Sequence, residues 1–251
     1  MEIELKKKAY LGVGRFMIPL PLFLLKSEIT KSANTICKAT AHLSDEERMV
    51  HRFVVNTITD TNQDVSLEKI ASNLDIPLER IKEIVEKLED LKVFFYRYKS
   101  QEINWAYPVT TESSEYKLNF SSGESCTAAW AADAVANPFV QGRLRNKELS
   151  MTINTVCANS GKPIRIEFDN NLILKYLEQG ADPMICIPKI NLVKVKQTSI
   201  VDIFWRKSLF FWSEEDAKQY QKKTRESITI YLSLLQSVEA NKVVQAVLFP
   251  W

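Results

Sequence analysis

Histidine is scarce in this chain, two in 251 residues, which excludes a histidine-rich metal centre. Cysteine is little better represented. Cys37, Cys126, Cys157 and Cys186 lie far apart with no CxxC pair, so their spacing indicates no zinc site and no cofactor. Reduced thiols in a cytoplasmic protein are the plain expectation. An excess of one charge is missing too: 33 cations stand against 31 anions, which gives no reason to expect nucleic acid or a membrane as the default partner. The apolar run Phe16–Leu25, preceded by Lys6–Lys8, imitates a signal peptide. Pro19 and Pro21 interrupt it, Lys26 and Glu28 close it, and no small-residue cleavage site follows. It is also too short to span a bilayer. Residues 1–42 therefore read as an apolar arm packed on the protein, with membrane association the lesser alternative.

What is present is ordinary globular composition, 45% hydrophobic and 25% charged, in a chain long enough for one large domain or two small ones. Residues 43–109 read as three helices and a β-hairpin. Ser44 with Glu47 forms a capping-box signature, and Met49, Val50, Phe53 and Val54 recur at helical spacing. Ser66 starts a short second helix, and Pro77 opens a third whose buried stripe is Leu78, Ile81, Ile84, Val85, Leu88 and Leu91. Val93–Tyr98 and Ile103–Val109 flank a polar turn. That order predicts a winged-helix module. Its third helix carries Glu79, Glu83, Glu86, Glu89 and Asp90 against Arg80, Lys82, Lys87 and Lys92. A net acidic face is a poor match to DNA phosphates, so a packing module is the better reading.

The polar stretch Thr110–Glu115 reads as a linker into a second domain, residues 116–251. Strands are predicted at Tyr116–Phe120, Ser150–Val156, Pro163–Phe168 and Pro183–Ile187, and a helix over Glu124–Ala136. Thr198–Phe211 fits either a helix or a buried strand. Ser213 caps a long C-terminal helical region that opens with Glu214, Glu215 and Asp216. The fold class is α+β: the winged-helix module followed by a mixed domain with a small sheet.

The informative segment reads Trp130-Ala131-Ala132-Asp133, then Asn137-Pro138-Phe139-Val140-Gln141-Gly142-Arg143, then Cys157-Ala158-Asn159-Ser160-Gly161-Lys162-Pro163 ahead of a strand. This pattern resembles the alkylmercury lyase family, as do the winged-helix order before it and Phe210-Phe211-Trp212-Ser213 before an acidic helix start. The resemblance covers the chain from about Leu43.

It implies protonolysis, in which two cysteine thiolates capture the mercury of R–Hg⁺ and a carboxylic acid protonates the departing carbon. Mercury is a soft cation and thiolate is the soft ligand a protein supplies. The acid must keep its proton at neutral pH, which burial favours. By the resemblance, Asp133 matches the proton donor and Cys157 a structural cysteine. The two catalytic cysteines fall where this chain has Trp130 and, within one or two residues, Trp205. Indole cannot bind mercury as thiolate does.

Several readings stay open. Cys126 would share a helical face with Trp130 and Asp133 and stand near a helix N-terminus, so it is either a relocated thiol or a small buried packing residue. Asp133 is either the site's acid or an ordinary helix carboxylate. Trp130 and Trp205 either line a pocket, suited for instance to a cationic ligand group, or simply fill the core. Arg206 and Lys207 either partner Asp133 or an anionic ligand, or face solvent. The favoured expectation is a repurposed lyase-family site around Asp133 that binds or transforms a small-molecule ligand, with no metal held by the chain. The alternatives are an active organomercurial lyase using Cys126 and a non-catalytic winged-helix regulator or scaffold. Titration with random duplex DNA at low salt separates the last from the others: no binding is expected, and salt-sensitive binding would restore the DNA reading.

Overall fold

Ser44 accepts a hydrogen bond from the Glu47 amide at 3.2 Å while the Glu47 carboxylate accepts one from the Ser44 amide at 2.9 Å. This reciprocal cap starts helix α1, Asp45–Thr61. In the computed structural model, residues 9–21, 23–24, 27, 43–91, 94–97, 101–145, 149–188, 208–225 and 229–248 are described. Strand β3 (Val65–Ser66) leads into α2 (Leu67–Leu74), capped by Ser66, and α3 (Leu78–Asp90) starts after Pro77. Strands β4 (Phe94–Arg97) and β5 (Glu102–Ala106) form the antiparallel hairpin. The cations of α3 are already engaged: Arg80 with Glu46 and Glu83, Lys82 with Glu79, and Lys87 with Glu47.

The small sheet expected of the second domain is a large one. Strands β6 (Val109–Thr110), β7 (Tyr116–Phe120), β8 (Ser125–Ala128), β9 (Met151–Val156), β10 (Pro163–Phe168) and β11 (Leu174–Leu177) join β3, β4 and β5 in a single antiparallel sheet of nine strands among the described residues. The join lies at the expected linker. Thr110 is fully buried, pairs with Thr127, and its hydroxyl donates to Asn104 O at 2.9 Å. Thr111 bonds Asp64, and Asn104 Nδ2 donates to Glu112 at 2.7 Å. Threonines and a polar side chain read as linker composition, but here their hydrogen-bonding groups are taken up by sheet and turn.

Two helix expectations are corrected. Residues 125–128 are strand β8, and helix α4 runs Ala131–Arg145, straight through Pro138. Alanine-rich sequence is locally a helix former, but Cys126 and Ala128 alternate inward against Leu118 and Tyr116, so tertiary pairing overrides propensity. Proline in a helix interior costs roughly 3 kcal/mol, which the burial of Val135, Ala136, Phe139 and Val140 around it can offset. The C-terminal region is likewise divided. Helix α5 (Glu214–Thr224) is capped by Ser213 as expected, but strand β14 (Thr229–Ser233) separates it from α6 (Leu234–Leu248).

Strand β14 lies at the centre of a second antiparallel sheet, ordered β13 (Phe210–Phe211), β12 (Met184–Pro188), β14, β1 (Ala9–Val13), β2 (Phe16–Leu20). Residues read as an apolar arm are thus two strands of this sheet. Of the open stretch Thr198–Phe211, Phe210–Phe211 is strand and 198–207 lie outside the described residues. No helix among the described residues is long and apolar enough to cross a membrane.

Helix α4 contacts both sheets, meeting β6, β7 and β8 of the large one and β12 of the second, while α1 packs on the large sheet. His51 of α1 is fully buried and its Nε2 meets Tyr107 O at 3.0 Å, so the ring donates there as the neutral Nε2–H tautomer. Burial lowers its pKa to about 4, against the raising effect of that carbonyl. A depressed folded pKa gives stability that is present above the unfolded value near 6.5 and is lost as pH falls through about 4. Chemical denaturation of wild type and His51→Gln between these limits is expected to show wild type losing about 3 kcal/mol more than the variant; parallel pH profiles would refute this role.

Candidate functional site

Asp133 stands in the first turn of α4 and is 2% exposed. Ser208 ties that turn down: Ala131 N donates to Ser208 O at 3.3 Å and Ala132 N to Ser208 Oγ at 3.1 Å. Tyr116 OH donates to the same Ser208 carbonyl at 3.0 Å. Helix N-termini stabilise carboxylates by about 0.3–1 kcal/mol, whereas removing a carboxylate from water costs several times that. Burial therefore wins, and the Asp133 carboxyl is pushed well above the ordinary carboxylate range.

Two indoles stand beside it. Trp130, at the helix start, and Trp105, on β5, have ring centroids 5.2 Å apart and tilted by 47°. Each is 7% exposed. The Trp105 indole N–H leans toward Asp133 and favours its ionised form, partly opposing burial, but it does not close a hydrogen bond of full geometry. Asp133 Oδ2 has no hydrogen-bond partner among the described residues. One turn on, Asn137 is fully buried, donating from Nδ2 to Pro108 O at 3.2 Å while its Oδ1 is left without a partner. The arrangement is a buried acid with a raised pKa and an amide oxygen on one helical face, with the paired indoles of Trp105 and Trp130 at the start of that helix.

Asp133 and Trp130 both stand at the start of α4, Asp133 in its first turn and Trp130 one residue ahead of the helix. Trp105 is an addition. Its aromatic side chain, alternating with Ile103 on a predicted strand, marked it as buried, but no local signal placed it opposite α4. Ser208 was equally unmarked, and Asn137 was part of the motif without a role assigned to it. Trp205 and Arg206, with Lys207, lie outside the described residues.

Cys126 is on strand β8 rather than on a helix, so it shares no helical face with Asp133. Its thiol is pushed up to about 12, chiefly by burial, with Thr59 and the Arg145 charge lowering it in part. Thr59 is hydrogen bonded to Gln141 at 2.7 Å. Gln141 and Arg145 lie eight and twelve residues beyond Asp133, placing these neighbours about 12 and 18 Å along the helix axis. Cys157 follows β9 directly, where its Sγ accepts from Ser160 N at 3.4 Å and its carbonyl closes the Gly161 turn. That turn docks on α5 through Asn159 Nδ2 to Asp216 at 3.0 Å. Cys186 is buried on β12, paired with Tyr231. Cys126, Cys157 and Cys186 are all free thiols. Among the described residues, no group of three or more His, Cys, Asp and Glu could hold a metal ion.

No family model and no curated protein matches the chain. Among solved structures, the mercury-bound form of MerB2 is similar with a TM-score of 0.65 and 16% identity, over 88% of this chain and 99% of that one. The chain therefore has a MerB-like fold, built of six helices and two antiparallel sheets among its described residues.

Proposed function

We propose that the Asp133 site is a repurposed lyase-type site, binding or transforming a small molecule without a pair of thiolates. The observation that carries this reading is the buried Asp133 Oδ2, an oxygen of a protonated acid with no partner, set beside two indoles. An uncharged carboxylic acid donates one hydrogen bond and holds a transferable proton. It suits a ligand with an apolar body and an acceptor oxygen better than the cationic group suggested by tryptophans alone. Trp130 supports the reading further, since it stands where the resemblance would put the first thiolate. Residues 43–109 are read as a winged-helix packing module, supported by the ion-paired cations of α3.

The alternative of mercury chemistry through Cys126 has less support. A thiol raised to about 12 is almost wholly protonated at neutral pH, and its neighbours are at the far end of α4.

Two measurements test the proposal. Because the folded pKa of Asp133 is raised, the stability it allows is full below the unfolded value of about 3.9 and is lost as pH rises through the folded value. Asp133→Asn is therefore expected to match wild type near pH 4 and to exceed it by 1 kcal/mol or more, as an order of magnitude, at neutral pH. A variant that is less stable throughout would mean an ionised, paired aspartate. For the ligand class, benzamide is expected to shift the indole N–H resonances of Trp105 and Trp130, with binding weakened about tenfold in Asp133→Leu and largely kept in Asp133→Asn. Benzylamine binding more tightly than benzamide, or benzene release from phenylmercury that is abolished in Cys126→Ala, would overturn it.

A further inference from the structure

The β1–β2 hairpin is fixed against α5 by a buried network, with Val13, Phe16 and Ile18 exposed at its tip and outer face. Gln221 of α5 donates to Gly14 O at 2.7 Å and accepts from Tyr231 OH at 2.6 Å. Gly12 allows this approach, because a Cβ there would lie 2.7 Å from Gln221 Oε1 and 2.8 Å from the Tyr231 ring. The turn, with Gly14 at φ +57°, thus holds Arg15 beside the end of α5.

Arg15, Lys222, Lys223 and Arg225 together line an open depression of about 530 Å³, with Gln219 on its rim. Lys223 donates to Asn159 Oδ1 at 3.1 Å, and Gln219 Nε2 donates to Glu215 at 3.3 Å. Among the described residues, none of these four cations forms an ion pair. Lys222 and Lys223 also complement the α5 dipole, but Arg15 comes from another element, and that explanation does not reach it.

The apolar side chains of the same hairpin complete the pattern. The register pairs Val13 with Phe16 and Leu11 with Ile18, so these four share the face turned away from α5. Phe16 is 71%, Ile18 52% and Val13 42% exposed. Arg15 stands in the turn between the exposed Val13 and Phe16, with Gly14 beside it, and shares the depression with three more cations. A bilayer approached end-on at this tip would meet the cations of α5 on one side and the apolar face of the hairpin on the other, which matches the chemistry of an anionic bilayer surface.

We propose that this hairpin tip and the C-terminal end of α5 form a docking surface for an anionic lipid membrane, peripheral rather than spanning. The cations meet headgroup phosphates while Phe16, Val13 and Ile18 enter the interfacial layer. The full chain is tested by co-sedimentation with phosphatidylcholine vesicles with and without phosphatidylserine. Binding is expected only with phosphatidylserine, weakening steeply with added salt. Lys222→Glu and Arg225→Glu are each expected to lower partitioning at least about fivefold, and Phe16→Ser to lower it while preserving the salt dependence. All three positions are exposed, and circular dichroism verifies the fold of each variant. Absence of sedimentation with anionic vesicles, or sedimentation indifferent to the charge reversals, would overturn the proposal. So would calorimetric binding of inorganic phosphate without vesicle association, which would make the depression a site for free anions. None of these residues belongs to the Asp133 site, so either proposal can fail alone.

Discussion

One face of α4 carries Asp133, Asn137, Gln141 and Arg145 at successive four-residue steps, and the first three are buried almost completely. Polar groups removed from water cost roughly 1–3 kcal/mol each if left without partners, so this stripe constrains whatever packs on it. Gln141 is met by Thr59 of α1, Arg145 by Asp60 and Glu124, and Asn137 by the Pro108 carbonyl. Arg52 of α1 returns a bond to Leu144 O at 2.6 Å. The N-terminal helical unit is thus held on the core in one register, by hydrogen bonds that a slip of one helical turn would all break.

The first member of the stripe lacks such a match, and Asn137 is matched only through its Nδ2. The neighbours of Asp133 are indole rings, and the partners that satisfy Gln141 and Arg145 lie too far along the helix to reach it. A carboxyl held in such a place keeps its proton, which is the state required of a donor, whether to a ligand oxygen or to a leaving carbon. The same geometry works against a thiolate. Cys126, on β8 and enclosed near Thr59, gains little from the single cation nearby and has no helix N-terminus to lower its pKa.

How much of this could be read beforehand depended on whether the decisive interaction was local. Ser44, Ser66 and Ser213 announced helix starts because a cap involves residues three apart, and β7, β9 and β10 announced themselves through alternation and turn residues. Strand β8 was hidden by an alanine-rich sequence whose helical preference is overruled by pairing with β7. Strand β14 was hidden because it follows a helix and precedes another, and its strand character depends on β12 and β1, far away in the chain. Asp133 and Trp130 were visible through the spacing of a motif. Trp105 and Ser208 were not, because each acquires its role from a contact across the fold, and Asn137, though within the motif, takes its role from the Pro108 carbonyl.

That last group alters the meaning of the two-domain reading. Trp105 belongs to the helix-and-hairpin unit, Trp130 and Asp133 to the residues that follow it, yet the two rings are in contact beside one acid. The sheet runs unbroken between the units through β5, β6 and β8. An N-terminal unit that merely decorated the core could be exchanged without consequence for Asp133. Here it supplies one wall of the acid's surroundings, the indole dipole that opposes burial, and, through Tyr107 and Pro108, the turn on which His51 and Asn137 converge. Removing it would return water to the carboxyl, and with water the reason for Asp133 to remain protonated would go.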